Sequence, residues 1–126
     1  MTSKKRFPRR SPIRESRILN EIIVDANPGR EQGMGWYYYL ENQLRFPFRA
    51  RCVAEREISP LKKSEEVSVL GMARDEECEH EMFVRVKWRG GSVAVPLGQL
   101  SGLHVDTETR EAIEDWHYWV ARGYEF

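Results

Sequence analysis

Apolar and polar residues alternate through the middle of the chain, and this alternation predicts β-strands. The clearest pattern covers residues 82–88, where basic residues occupy the polar face of a half-buried strand. The opposite face would carry Met82, Val84, Val86 and Trp88. Gly90 and Gly91 tolerate a positive φ, so the chain can turn back as a hairpin. The returning strand would end at Pro96, because proline has no N–H to donate to a central ladder.

Three further strands are predicted around this hairpin. One begins after Pro47, and its apolar face would carry Phe48, Ala50, Cys52 and Ala54. Another ends near Met72, and its inward positions would be Val67, Val69 and Gly71. Residues 97–100 favour a single helical turn, and residues 103–105 a last short strand. In this arrangement Cys52 is a small core residue rather than a nucleophile.

Three helices are also predicted, two before the strands and one after them. Ser11 and Pro12 mark a helix start, since a capping hydroxyl precedes a proline suited to the first turn. Residues 31–44 repeat apolar side chains at a spacing of four, which predicts the second helix. The last helix would be capped by Asp106 or Thr107. Its apolar stripe would be Ala112, Trp116, Trp119 and Val120.

Together these elements predict an α+β fold, a small SH3-like five-stranded barrel covered by the N-terminal helices and the C-terminal helix. The chain has 126 residues, which suffices for one domain. We assign residues 11–126 to that domain and residues 1–10 to a disordered basic arm. The first helix either docks on the domain or pairs with a second copy, and we expect a monomer.

Charge is unevenly distributed along the chain. The formal net charge is zero, yet residues 1–17 hold seven basic residues and one acidic residue, a net charge of +6. The rest of the chain must therefore carry −6. Such a basic arm is either a solvated tail or a contact for nucleic acid or an acidic partner. The acidic domain disfavours nucleic-acid binding except through the arm.

Several functional classes are disfavoured by missing motifs. The sequence has no glycine-rich phosphate loop, nucleophile elbow or HExxH motif, so we predict no enzymatic activity. Cys52 and Cys78 do not form a CxxC pair. No apolar run approaches the roughly 18 residues of a membrane span. The N-terminus lacks the apolar segment of a secretory signal, and we expect a soluble cytoplasmic protein with reduced thiols.

A dense acidic run precedes the central strand and is the main candidate for chemistry. Its carboxylates are Asp75, Glu76, Glu77, Glu79 and Glu81, with no basic residue inside the run. A divalent cation would relieve their mutual repulsion, and oxygen ligands with irregular geometry suit Ca²⁺ better than Mg²⁺. The run is not an EF-hand, since its sixth and twelfth positions are His80 and Val86 instead of Gly and Glu.

Two other interpretations of the acidic run stay open from its residues alone. Cys78 and His80 lie within it, but two such ligands are too few for a closed zinc site. A solvated acidic turn that binds nothing specific would produce the same composition. The residues by themselves do not separate this turn from a calcium site.

Longer segments resemble a known family. GWYYYLENQLRFPFRARC, SPLKKSEEVSVLGMA, CEHEMFVRVKW, AVPLGQL and AIEDWHYWVARGY occur in the order found in the cyanobacterial calcium-binding protein (CcbP-like) family. The resemblance covers residues 33–124. It implies a small protein without EF-hands that binds Ca²⁺ through clustered surface carboxylates, as a calcium buffer or sensor.

The resemblance also implies candidate metal ligands. They include Glu41 in GWYYYLE and the carboxylates Asp75, Glu76, Glu77, Glu79 and Glu81. Glu114 and Asp115 in EDWHYW are further candidates. Asn42 stands where members of that family often carry an aspartate, so its amide oxygen would be an uncharged ligand.

A second hypothesis is an SH3-like interaction module that binds a protein or nucleic-acid partner. It is motivated by the strand pattern, the three consecutive tyrosines 37–39 and the basic arm. Because such barrels serve many functions, this hypothesis rests on fold-level analogy.

Overall fold

A computed structural model describes residues 10–123 of the chain. Within these residues, two α-helices (α1 and α2) are followed by five strands (β1 to β5) and a third α-helix (α3). The helices are Pro12–Arg17, Arg30–Gln43 and Thr107–Ala121. The strands are Phe48–Cys52, Glu66–Met72, Phe83–Trp88, Gly91–Pro96 and Leu100–Leu103. Nine residues of the predicted basic arm, 1–9, lie outside the described range.

The strands form one antiparallel sheet in the order β4-β3-β2-β1-β5. The sheet is not closed, and it fits the predicted small SH3-like fold. The register between β2 and β3 shifts between Val69 and Gly71, where the strand bulges. The helices lie over the sheet, with α2 against β2 and α3 against β5.

The alternation of side chains along the strands explains which face is buried. Strand β1 alternates buried and exposed residues throughout, and Cys52 is 1% exposed, as predicted for a core residue. The alternation also predicts an inward Ala54, but this residue is exposed because the strand ends at Cys52. The predicted last strand, 103–105, is instead Leu100–Leu103, and His104 leaves the strand with a φ of 54°.

Aromatic residues of α2 and α3 form the centre of the core. Trp36 is fully buried, and its ring centroid lies 5.1 Å from that of Trp116 and 5.6 Å from that of Trp119. Tyr39 packs edge-on against Trp36 at 5.9 Å. These contacts anchor α3 on α2, and burial of each large ring contributes about 2–3 kcal/mol.

The N-terminal helix docks on this core. Ser11 caps α1 by accepting a hydrogen bond from the Arg14 N–H at 3.2 Å, as its sequence predicts. A π-helical turn, Ile18–Ile22, continues α1 and buries its two end residues. The Ile22 carbonyl packs so closely on Gly35 of α2 that a Cβ there would overlap it. Among the described residues, the first helix therefore packs on the rest of the chain.

Candidate metal centre

The acidic run begins with a tight 3-10 turn, Asp75–Cys78, between β2 and β3. Cys78 anchors the turn because it is 3% exposed and its sulfur accepts a hydrogen bond from the Phe83 N–H at 3.3 Å. Met82 is buried at the end of the run. Asp75, Glu76 and Glu79 are exposed, so the run presents three carboxylates to solvent.

A cavity of about 380 Å³ separates this turn from the first half of α2. Gly29, Arg30, Gly33 and Tyr37 line the helix side of the cavity, and Asp75, Glu76, Glu79 and His80 line the opposite side. Three of the predicted ligands therefore face one cavity.

Tyr37 connects the acidic turn with a fourth candidate, Glu41. Its hydroxyl donates a hydrogen bond to the Ala73 carbonyl at 2.6 Å, just before the turn. Burial, together with the charges of Glu41 and Asp75, raises the pKa of Tyr37 to about 12. Glu41 lies one helical turn after Tyr37 and is exposed. Negative charge from α2 and from the turn thus acts on the same hydroxyl.

Arginines from outside the run neutralise two of its carboxylates. Both oxygens of Glu81 accept hydrogen bonds from the Arg56 guanidinium, at 2.9 and 3.0 Å. Glu77 lies 3.5 Å from Arg85 and also accepts the backbone N–H of Arg74 at 3.1 Å. The run itself contains no basic residue, but the fold supplies these cations. Glu77 and Glu81 can contribute to an ion only by giving up these partners.

The remaining carboxylates of the run carry less compensation. Glu76 lies 3.5 Å from the Nε of Arg74, and both side chains are largely exposed. Asp75 accepts the backbone N–H of Glu76 at 2.9 Å, which fixes one carboxylate oxygen near the start of the turn. Asp75 and Glu79 have no ion pair within residues 10–123.

Asp115, another predicted ligand, lies in the core and not at the cavity. Its side chain is fully buried, and its oxygens lie 2.7 Å from Arg14 and 2.8 Å from Arg17. The Tyr39 hydroxyl donates a third interaction at 2.9 Å. These partners satisfy the carboxylate, so Asp115 holds the first helix on the domain instead of facing a solvent-accessible ion. The helical periodicity of α3 is consistent with this burial, because position 115 lies on the apolar side of the helix with Ala112 and Trp119.

Two other predicted ligands lie away from the acidic turn. The Glu114 side chain is 53% exposed on α3 and lies 3.4 Å from Arg14. Asn42 lines a different groove, together with Glu21 and Tyr38. The structure does not place either residue at the cavity formed by the acidic turn.

The donor chemistry at the cavity suits a hard cation. Carboxylate oxygens are the ligands that Ca²⁺ prefers, and an irregular turn accommodates its variable geometry. Cys78 is a poor zinc ligand, since burial raises the pKa of its thiol to about 11 and keeps it protonated. Among residues 10–123, no three His, Cys, Asp or Glu side chains already form a metal-binding group. An ion at this cavity would have to draw its carboxylates together.

Sequence reasoning missed the arginine partners and the position of Tyr37. Arg56 precedes Glu81 by 25 positions and lies outside the regular elements, so no period relates the two residues. The run of tyrosines suggests core packing or stacking, although Glu41 follows Tyr37 at helical spacing.

In the described part of the chain, no helix is both long and apolar enough to cross a membrane.

Comparisons with known proteins agree with the donor chemistry. Residues 16–120 match the profile of a protein family described as calcium binding, the CcbP family. A crystal structure of CcbP from Anabaena is 43% identical, with a TM-score of 0.84, over 94% of this chain and 98% of that chain. A calcium-binding protein solved in its calcium-binding form is 44% identical, with a TM-score of 0.81, over 93% and 96% of the two chains. No curated protein matches the chain significantly. These similarities favour calcium binding over the interaction-module hypothesis.

Proposed function

Because the chain belongs to the CcbP family of calcium-binding proteins, we propose that it binds Ca²⁺ at the cavity between the acidic turn and α2. The observation that carries this placement is that Asp75, Glu76 and Glu79 face one cavity. Arg30 also lines this cavity, but neither Asp75 nor Glu79 forms an ion pair within residues 10–123. Glu41 adds negative charge from α2, as its effect on Tyr37 indicates. The proposed site does not have the ligand pattern of an EF-hand loop.

Electrostatic repulsion between carboxylates provides the driving force for binding. Bringing like charges together costs energy, and a divalent cation converts that cost into attraction. Ca²⁺ accepts six to eight oxygen ligands at irregular angles, whereas Mg²⁺ requires a near-ideal octahedron and keeps its water. A short turn with exposed side chains therefore favours Ca²⁺. Water would supply the ligands that the carboxylates do not.

The affinity should be in the micromolar range or weaker. The three carboxylates are exposed, so binding must restrict side chains that are otherwise mobile, at a cost of about 1 kcal/mol for each. The sheet and helices are held by an independent aromatic core, so we expect ordering of the turn without a change of fold. Such a protein would act as a calcium buffer or sensor in the cytoplasm, as a monomer without enzymatic activity.

The test is a calorimetric Ca²⁺ titration with excess Mg²⁺ at physiological ionic strength. We expect saturable binding by the native protein and a roughly ten-fold or greater loss of affinity in Asp75→Asn/Glu79→Gln, since each change removes a charge but keeps a similar shape.

A control of equal charge is available on α3. Glu108 and Glu111 are exposed near the start of that helix. Neither residue lines the cavity beside α2. Glu108→Gln/Glu111→Gln should therefore keep its affinity within about two-fold. If the two double variants lose affinity equally, the proposed location is wrong.

A further inference from the structure

Glu81 is held differently from the other carboxylates of the acidic run. The Arg56 guanidinium binds both of its oxygens, in the fork geometry that gives the strongest arginine–carboxylate pairs. The Glu81 side chain is 22% exposed and that of Arg56 is 41% exposed, so the pair is partly shielded from water. The hydrogen bond to Glu81 also raises the pKa of Arg56, as expected for a cation stabilised by its partner.

This ion pair lies between the acidic turn and the tryptophans of α3. A second cavity, of about 300 Å³, is lined by Arg56, Glu81, Trp116 and Trp119. His80 lines both this cavity and the one beside α2, so the end of the acidic run forms the wall between them. Glu81 itself lines only the second cavity, so it would have to turn past His80 to reach an ion beside α2.

We propose that Arg56 is an internal competitor for the calcium site, and that ion binding transfers Glu81 from the Arg56 guanidinium to Ca²⁺. The inference rests on the proposed function. It identifies Arg56 as a residue that lowers the calcium affinity without binding the ion. Through Arg56, binding of the ion would also affect segment 53–57.

The competition follows from the number of lone pairs and from charge. The guanidinium occupies one lone pair on each Glu81 oxygen, and its positive charge repels a metal ion that approaches the other lone pairs. Asp75, Glu76 and Glu79 as single donors leave several of the six to eight Ca²⁺ ligand positions to water, and a charged carboxylate can replace water at such a position. Glu81 follows Glu79 by two residues, so it is a nearby source of further oxygens once Arg56 is displaced.

Loss of the ion pair would also remove one of the contacts that hold segment 53–57. That segment contains no helix or strand, and Gln99 holds its start through the Val53 N–H and the Ala54 carbonyl, each at 2.8 Å. The Arg56 side chain would leave the cavity beside Trp116 and Trp119. Calcium binding should therefore change tryptophan emission although no tryptophan binds the ion.

A double-mutant cycle in the full-length protein tests the competition. We expect Arg56→Gln to bind Ca²⁺ about five-fold more tightly than the native protein, because a partly exposed ion pair of this kind opposes binding by roughly that factor. Arg56→Lys keeps the charge but not the fork and should show a smaller gain. In the Glu81→Gln background the gain from Arg56→Gln should largely disappear, because there is no carboxylate left to release.

A matched control is Arg51→Gln, which breaks an exposed 3.0 Å pair with Glu66 on the sheet. Its affinity should stay within about two-fold of the native value. An equal gain from Arg56→Gln with and without Glu81 would overturn the competition, as would a loss of affinity in Arg56→Gln. Failure of the proposed function is distinguishable, because it would leave the native protein without saturable binding or Asp75→Asn/Glu79→Gln without a defect.

Discussion

A buried carboxylate illustrates how the surroundings of a residue decide its role. Asp115 and Glu114 are neighbours of the same charge, yet Asp115 is fully buried and Glu114 is mostly exposed. Asp115 is bound by Arg14, Arg17 and Tyr39, all within 3 Å. A charge removed from water is stable only with such partners, so the cluster is a structural unit.

We predict that Asp115→Asn lowers the free energy of unfolding by about 3 kcal/mol, because two arginines lose the charge that compensates them. Urea unfolding followed by circular dichroism would measure the loss. Glu114→Gln is the control and should change stability by no more than about 0.5 kcal/mol, since its pair with Arg14 is exposed. A stable Asp115→Asn protein that no longer binds Ca²⁺ would show instead that Asp115 is a ligand.

Among the elements, the docking of the N-terminal helix depends on one small residue in α2. Gly35 allows the carbonyl of Ile22, the last residue of the π-helical turn, to approach the helix backbone. The Tyr118 hydroxyl reinforces the contact by accepting the Ser11 N–H at 3.1 Å and donating to Glu15 at 2.7 Å. Close backbone contact and hydrogen bonds thus act on the same element.

We predict that Gly35→Ala lowers the free energy of unfolding by about 2 kcal/mol through overpacking. The direction of this change is informative, because replacing glycine by alanine within a helix otherwise raises the free energy of unfolding by about 1 kcal/mol. Limited proteolysis should also show earlier cleavage within residues 10–23. Gly71→Ala is the control, because a Cβ at Gly71 would meet nothing within 4 Å. Stabilisation by Gly35→Ala would contradict the packing argument.

The elements differ in how far sequence patterns predict them. Alternation identifies β1 to β4 and helical spacing identifies α2 and α3, because each pattern reflects one buried face. The π-helical turn is not predicted, since its apolar residues also fit an ordinary helix. The last strand is predicted three residues too late. Leu100 is assigned to the helical turn before it, and Ser101 and Gly102 are left out of both elements, because neither side chain is apolar enough to mark a strand.

At the scale of the whole molecule, calcium should contribute to folding stability by mass action. A ligand that binds only the folded protein stabilises it by about 2.7 kcal/mol at 100 times its dissociation constant. For a chain of this size we predict a rise in melting temperature of about 10 °C. Scanning calorimetry with Ca²⁺ and then with excess chelator would measure it.

Two observations would accompany that rise if the site lies at the acidic turn. The far-ultraviolet circular dichroism should stay constant, because the helices and sheet do not depend on the ion. The melting temperature of Asp75→Asn/Glu79→Gln should not respond to Ca²⁺. An equal rise in that variant would place the stabilising ion elsewhere.

The sequence predicts which carboxylates form the candidate site, but not which of them are neutralised by arginines. The run 75–81 is evident in the sequence, and three of its carboxylates do face one cavity. The pairing of Glu77 with Arg85 and of Glu81 with Arg56 depends on the sheet and on an irregular segment. Such contacts between distant residues arise from the tertiary fold, which local periodicity does not encode.

The exposure of Asp75, Glu76 and Glu79 determines how fast Ca²⁺ can bind and dissociate. No lid covers these side chains within residues 10–123, and their charge attracts cations, so Ca²⁺ would arrive with a rate constant of about 10⁸ M⁻¹ s⁻¹. With a micromolar dissociation constant, the ion would leave at roughly 100 s⁻¹. The protein would then follow calcium transients with a lag of about ten milliseconds, instead of storing the ion after the transient has ended.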